Sequence, residues 1–172
     1  FADTIHRIRS FLLEKGKVMN GVSKISVTED VCLISFNNIP RDLSVTSQIM
    51  TEFAVQDINI DMISQSAPIG ESANVSFTVQ SEDLVRALAI IQRFREQHPS
   101  VRPIVSSGNC KVQLYGEEMR SMPGVAARAF SVVSSITNEI MLITTSEVDI
   151  SILIAQHELS SVLEALKQHY GI

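Results

Sequence analysis

Apolar positions in this chain recur at two periods, about 3.6 and 2, and the changes between them mark out a series of elements. Thr4 to Glu14 places Ile5, Ile8, Leu12 and Leu13 on one helical face, with Gly16 as a stop. Ser23 to Val27 alternates as a short strand, and a polar turn at Thr28 to Asp30 separates it from VCLISFNN, Val31 to Asn38, a second strand. After Ile39-Pro40-Arg41, Asp42 is a helix N-cap, and Val45, Ile49, Met50 and Phe53 give the helix Leu43 to Val55 its inward face. Ile58 to Gln65 and Asn74 to Gln80 form a hairpin about the Pro68-Ile69-Gly70-Glu71 turn. Ser81, Glu82 and Asp83 then open a helix to Gln97, with Leu84, Leu88, Ile91 and Phe94 at helical spacing, followed by a strand from Val101 to Ser106.

The same order then recurs: strand Lys111 to Tyr115, loop GEEMRSMPG, helix Val125 to Thr137, strands Ile140 to Glu147 and Val148 to Ala155, helix His157 to Tyr170. The echo extends to residues. Setting Asp61 on Met141 aligns Ile60 with Ile140, Met62 with Leu142, Ile63 with Ile143 and Ser66 with Ser146, an offset of 141 − 61 = 80. The next strand sets Val75 on Ile150 and Ser76 on Ser151, an offset of 151 − 76 = 75, so the intervening turn is five residues shorter in the second copy. A duplicated βαββαβ unit follows, an α+β fold of two ferredoxin-like layer pairs. The second copy lacks its last strand, which would leave a sheet edge bare. Ser23 to Val27 is the spare strand, so it is expected to cross over and complete the second unit, making the first an insertion in the second. The division expected is 1–20 helical connector, 21–30 strand completing unit 2, 31–109 unit 1 and 110–172 unit 2.

Composition narrows the function. The 172 residues are 45% hydrophobic, 19% charged and 5% aromatic, with a net charge of −5, a poor match to a nucleic-acid partner that needs a basic face and exposed stacking rings. No apolar run approaches a bilayer span, so a soluble cytoplasmic protein with no membrane partner is expected. The chain opens at Phe1 without an initiator methionine or signal sequence, which suits a piece of a longer polypeptide. Cys32 and Cys110 are expected to be buried free thiols at non-equivalent positions of the repeat. His6, His98, His157 and His169 have no mutual ligand spacing, and no nucleophile elbow or paired-carboxylate cluster is present, so neither a metal site nor a catalytic site is expected.

The tandem units, INIDMI, GEEMRSMPGVAARAF and LITTSEVDISILI look like the paired ACT domains at the C-terminus of aspartate kinase, from about Val22 onward. The resemblance implies the same inserted-domain topology. It also implies an allosteric role: lysine or threonine, end products of the pathway that begins with ATP-dependent phosphorylation of L-aspartate, binds between the first unit of one protomer and the second unit of another in a homodimer. No phosphate-cradling kinase motif is present, so ATP and Mg would belong to a kinase domain outside this sequence and no cofactor is expected within it.

An amino-acid zwitterion needs donors for its carboxylate and acceptors for its ammonium. Free N–H groups at a loop-to-helix junction supply the donors, and PGVAA, Pro123 to Ala127, is such a junction with small residues. The first unit's counterpart is Pro40-Arg41-Asp42-Leu43. The composite site expected joins Asn38, Ile39, Pro40, Arg41, Asp42, Leu43, Asp61 and Gln65 of one unit with Arg120, Ser121, Gly124, Val125, Ala127, Glu139, Ile140, Ser146 and Glu147 of its partner. Glu139 or Glu147 as carboxylate for a long cationic side chain favours lysine. Arg41 stands where the family has glycine, Asn38 where aspartate is common, and Met141 opposite Asp61 removes an acceptor. These departures leave open a module that dimerises without binding an effector, and a free-standing sensor is a third reading. Two sheet edges meeting across a two-fold dimer would give eight-stranded side-by-side sheets.

Overall fold

A computed structural model describes residues 21–172; the predicted helix Thr4–Glu14 lies outside the described residues. Ten elements follow: β1 Lys24–Pro40, α1 Leu43–Val55, β2 Ile63–Gln65, β3 Ser72–Gln80, α2 Leu84–Gln97, β4 Arg102–Tyr115, α3 Val125–Val133, β5 Leu142–Thr145, β6 Asp149–Ala155 and α4 Leu159–Tyr170. The fold is α+β, with one six-stranded antiparallel sheet in the order β2-β3-β1-β4-β6-β5 and four helices.

The two central strands serve both units. The first part of β1 pairs Lys24 with Tyr115 and Thr28 with Lys111, closing the second unit, while its later part pairs Leu33 with Ser106 and Asn37 with Arg102 inside the first. The N-terminal strand therefore does complete the C-terminal unit. The predicted turn at Thr28 to Asp30 and the predicted break between Ser106 and Lys111 are not interruptions, however. Each strand runs through, and the excess residues are absorbed as irregularities between Thr28 and Leu33, where Asp30 takes φ 56° and Gly108 takes φ 72°. Polar residues that suggest a turn in sequence are here bulge residues in an unbroken strand.

Strand registers bear out the repeat. Ile63 opposite Phe77, Ser64 opposite Ser76 and Gln65 opposite Val75 recur as Ile143 opposite Ile152, Thr144 opposite Ser151 and Thr145 opposite Ile150. One expectation is overturned. Cys32 faces Val79 and Cys110 faces Ile154, so the two thiols occupy the same place in the two units. The first strands are offset by 78 (110 − 32), a third value between loops of unequal length, which hides the match in a linear comparison. Both cysteines are buried and unbridged.

Each unit has its own core between helices and sheet. Unit 1 is aromatic: Phe36 stacks on Phe77 at 6.0 Å, and Phe94 and Phe53 meet these rings edge-on at 5.4 and 5.0 Å. Unit 2 is aliphatic, with Val112, Leu114, Ile152, Ile154, Val162 and Leu166 buried around Tyr170. A third cluster, Val31, Met62, Leu142 and Leu153 with Leu33 and Met141 beside it, joins residues of both units, and β2 approaches β5. Leu88, predicted inward, is 45% exposed. Ala87, Ile90, Ile91 and Phe94 form the buried stripe of α2, so the helix is rotated to press its small residue to the sheet, leaving Leu88 at the margin. The predicted strand Ile58–Gln65 narrows to Ile63–Gln65 because Thr78 Oγ1 takes the Met62 N–H, while Thr78 O takes that of Asp61. The predicted strand Ile140–Glu147 likewise narrows to Leu142–Thr145, and the helix from Val125 ends at Val133 in a turn closed by Thr137 N–H on Val133 O.

Candidate functional site

Two loop-to-helix junctions were expected to hold the effector, and the structure treats them differently. In unit 1 the last stretch of β1 is irregular between Phe36 and Ile39, where Asn38 takes φ 59°, its N–H donating to Asn74 Oδ1 (3.0 Å) and its side-chain amide to Ser100 O (3.0 Å). Ile39 is fully buried, and the Arg41 N–H donates to Glu71 O at the tip of the β2–β3 hairpin (3.0 Å). Asp42 caps α1 by accepting the Ser44 N–H at 2.9 Å, and hydrogen bonds from Ser44, backbone first and hydroxyl second, hold its carboxyl below the usual range. At the start of α1 Asp42 thus meets the Ser44 N–H with its side chain and the Val45 N–H with its carbonyl, and Leu43 beside it stands in solvent.

Unit 2 begins its helix on glycine. A one-turn 3-10 segment, Glu117–Ser121, precedes Met122, Pro123 and Gly124, and Gly124 adopts φ 89°, a conformation that strains any side chain with a Cβ. No side chain caps α3. The N–H groups of Val125, Ala126 and Ala127 find no acceptor among the described residues; the first bond made is Arg128 N–H to Gly124 O. Beside these donors lies an open groove of about 390 Å³ with Met119, Met122, Val125 and Ile150 as apolar floor and Thr145 and Ser146 as wall. Arg120 and Glu147 form its rim and pair across it, Arg120 Nη1 to Glu147 Oε2, while Arg120 Nε also reaches Glu117 at 3.3 Å. Glu117 accepts the Tyr115 hydroxyl at 2.5 Å, and that bond and the Arg120 guanidinium keep its carboxyl low.

The groove wall rests on a polar turn. Ser146 Oγ accepts the Val148 and Asp149 N–H groups (both 3.2 Å) and donates to Asp149 Oδ1 (2.5 Å). Asp149 also accepts from Gln113 (3.0 Å) and Ser151 (3.1 Å). Burial would raise the Asp149 carboxyl, but these hydrogen bonds and the nearby Lys111 ammonium outweigh it and hold the group below its usual range. Unit 1 builds the same turn with a neutral residue: Asn74 N–H donates to Ser66 Oγ at 3.2 Å and Ser66 N–H to Asn74 O at 2.9 Å.

Of the expected residues, Arg120, Gly124, Val125, Ser146 and Glu147 meet around this groove. Ala127 contributes only a backbone donor, Ser121 Oγ turns to Glu118 O, Ile140 packs on the unit 2 core, and Glu139 is exposed with its N–H held by Thr137 Oγ1. The unit 1 set, Asn38 to Leu43 with Asp61 and Gln65, lies on the other half of the chain. Asp61 is ion-paired with Lys111 of β4, and Gln65 is exposed on the edge strand β2. Met141 lies beside the apolar cluster between units, its N–H on Leu153 O (2.9 Å). Sequence inspection missed Lys111 and Asp149. The available signal was a lysine inside the apolar alternation of KVQLY and an aspartate opening a strand of VDISILIA.

The ACT-domain family matches this chain twice, over residues 37–93 and 112–170. The aspartokinase of Geobacillus stearothermophilus is 33% identical over 151 residues, covering 88% of this chain and 36% of the relative. The aspartokinase of Bacillus sp. (strain MGA3) is 29% identical over 160 residues, covering 93% of this chain and 38% of the relative. The chain thus spans less than two fifths of the length of these curated relatives. Among solved structures, the ligand-free regulatory subunit of aspartate kinase from Thermus thermophilus superposes with a TM-score of 0.79 at 27% identity, covering 86% of this chain and 97% of that one. The aspartate kinase from Synechocystis gives a TM-score of 0.84 at 27% identity, covering 91% of this chain and 28% of that one.

Proposed function

Since this chain belongs to the ACT-domain family, carrying two copies, and is homologous to aspartokinases, we propose that it is the amino-acid-sensing region through which an aspartate kinase is inhibited by an end product of its pathway. The effector is lysine, with threonine next, bound between unit 2 of one copy and unit 1 of a second. The observation that carries this is the uncapped start of α3 beside the Arg120–Glu147 rim. Three free N–H groups at a helix start attract a carboxylate. The rim pair is exposed on both sides, so opening it costs on the order of 1 kcal/mol or less. Once opened it offers one cation and one anion, the complement of a zwitterion. A lysine side chain would lay its methylenes on Met119, Met122 and Ile150 and bring its ammonium to Glu147. Binding across two copies favours one arrangement of the dimer, and the effect on the kinase is limited by the difference in effector affinity between arrangements.

Titration calorimetry with lysine, threonine and methionine tests this. Saturable heat with lysine, weakened by about tenfold in Arg120→Met, is the expected result. Absence of heat and of thermal stabilisation with all three at millimolar concentration would reject it. A second reading, a dimerisation module without an effector, is favoured by Met141, which leaves unit 2 without the acceptor that Asp61 supplies in unit 1. It requires a stable dimer whose melting ignores amino acids.

A further inference from the structure

The Lys111–Asp61 pair joins the two units, whereas the other ion pairs among the described residues, Arg86–Asp83, Arg93–Glu52 and those of Arg120, each stay within one. Its two ends differ in exposure. The Lys111 side chain is 14% exposed and the Asp61 side chain 48%. Lys111 engages Oδ2 of Asp61, and Oδ1 has no partner among the described residues. The Lys111 charge also helps hold the Asp149 carboxyl below its usual range, although the two make no ion pair. One nearly buried ammonium therefore pairs with Asp61 and acts through its charge on Asp149, and the three groups together carry one uncompensated negative charge. Asp149 is saturated by Ser146, Gln113 and Ser151, so the open acceptor of the group is Asp61 Oδ1.

We propose that Lys111 is a positioning residue for amino-acid recognition: it fixes the Asp61 carboxylate through one oxygen so that the other receives the α-ammonium of the effector. This rests on the function proposed above and adds how its ammonium contact is built. A carboxylate held from a nearly buried lysine loses less rotamer freedom on binding than a free surface aspartate. Lys111 also repels an incoming ammonium, but Asp149 offsets that charge, so fixing Asp61 is the larger effect.

The experiment compares lysine with 6-aminohexanoate, which has the same chain, carboxylate and terminal ammonium but no α-ammonium. Calorimetry on Lys111→Met should show lysine binding weakened about tenfold while 6-aminohexanoate is unchanged, with Lys111→Arg restoring most of the lysine affinity. Asp61→Asn should abolish the preference for lysine over 6-aminohexanoate. Tighter lysine binding in Lys111→Met would show that Lys111 competes with the effector, and equal loss for both compounds would show a structural role only; either overturns the proposal. Should the wild-type chain bind neither compound, the function proposed above fails. In that case the Lys111 ammonium resonance still decides the pairing: it is expected to be slowed in proton exchange in the wild type and to vanish in Asp61→Asn, and its persistence there would overturn the pairing.

Discussion

The two helix starts descend from one repeat yet meet solvent differently. At α1, Asp42 spends its carboxylate on the Ser44 N–H, leaving little for a ligand anion. At α3, Gly124 provides no side chain, and the donors of Val125, Ala126 and Ala127 meet no acceptor among the described residues and lie beside a cation. The first arrangement stabilises the helix locally; the second gives up that stabilisation and leaves the donors on which the proposed effector site is built. Duplication has thus yielded one closed copy and one receptive copy, and capping chemistry at a single position separates them.

The largest effect is expected where the receptive loop begins. A Cβ on Gly116 would lie 1.9 Å from the Gly21 carbonyl oxygen, a backbone atom that cannot yield without moving the strand that completes unit 2. Gly116→Ala should cost roughly 3 kcal/mol or more and lower the melting temperature by about 10 °C in calorimetry. Asn38, its counterpart by the offset of the first strands, has room for a side chain, which bonds to Ser100 O, so a mild effect at Gly116 would break the comparison.

A smaller effect separates stability from binding. Asp42→Ala should lower the melting temperature by a few degrees, roughly what loss of an N-cap brings, and leave effector affinity unchanged. Arg120→Met should do the reverse, sparing melting while weakening binding. If Asp42→Ala weakened effector binding as much as Arg120→Met does, α1 would not be the closed copy.

Acid sharpens the contrast between the hairpins. Asp149 has a folded-state value below the ordinary 3.8, so its contribution is complete above that value and is lost as pH falls through the lower folded-state one. Asn74, at the same place in unit 1, has no such dependence. Denaturation titrated from pH 6 downward should show the wild type losing stability below about pH 4 more steeply than Asp149→Asn. Equal slopes would remove Asp149 from the account.

The smallest effect concerns thiols. Burial, with Glu29 and Glu158 nearby, pushes Cys110 up to about 11, so alkylation at pH 8 should be negligible until the chain unfolds. Mass spectrometry showing rapid native-state modification would contradict the packing of unit 2.

Much of this was legible in the residues. Offsets of 80 and 75 matched the registers of the two hairpins to each other, though the first strand of each is shorter than expected, because β pairing with one buried face tolerates no slip and register follows the apolar pattern. The crossing strand was legible by elimination, since a unit short of one strand needs an edge covered. Cys32 and Cys110 were not recognised as equivalent because their offset depends on loops whose lengths changed independently. The continuity of β1 was hidden by Thr28, Glu29 and Asp30, which have turn chemistry but sit in a bulge. At the site, Arg120, Gly124 and Ser146 follow from local chemistry, but Lys111 on Asp61 depends on how two halves of the chain face each other, which no local pattern encodes.

β1 and β4 have a mechanical consequence. Because the same two backbones form the middle of both halves, neither half can tilt about a slack tether; any reorientation must bend this common spine, most readily at Asp30 and Gly108, where two irregularities lie side by side. A molecule built this way transmits a twist instead of swinging like a hinge, and it is expected to melt in a single step.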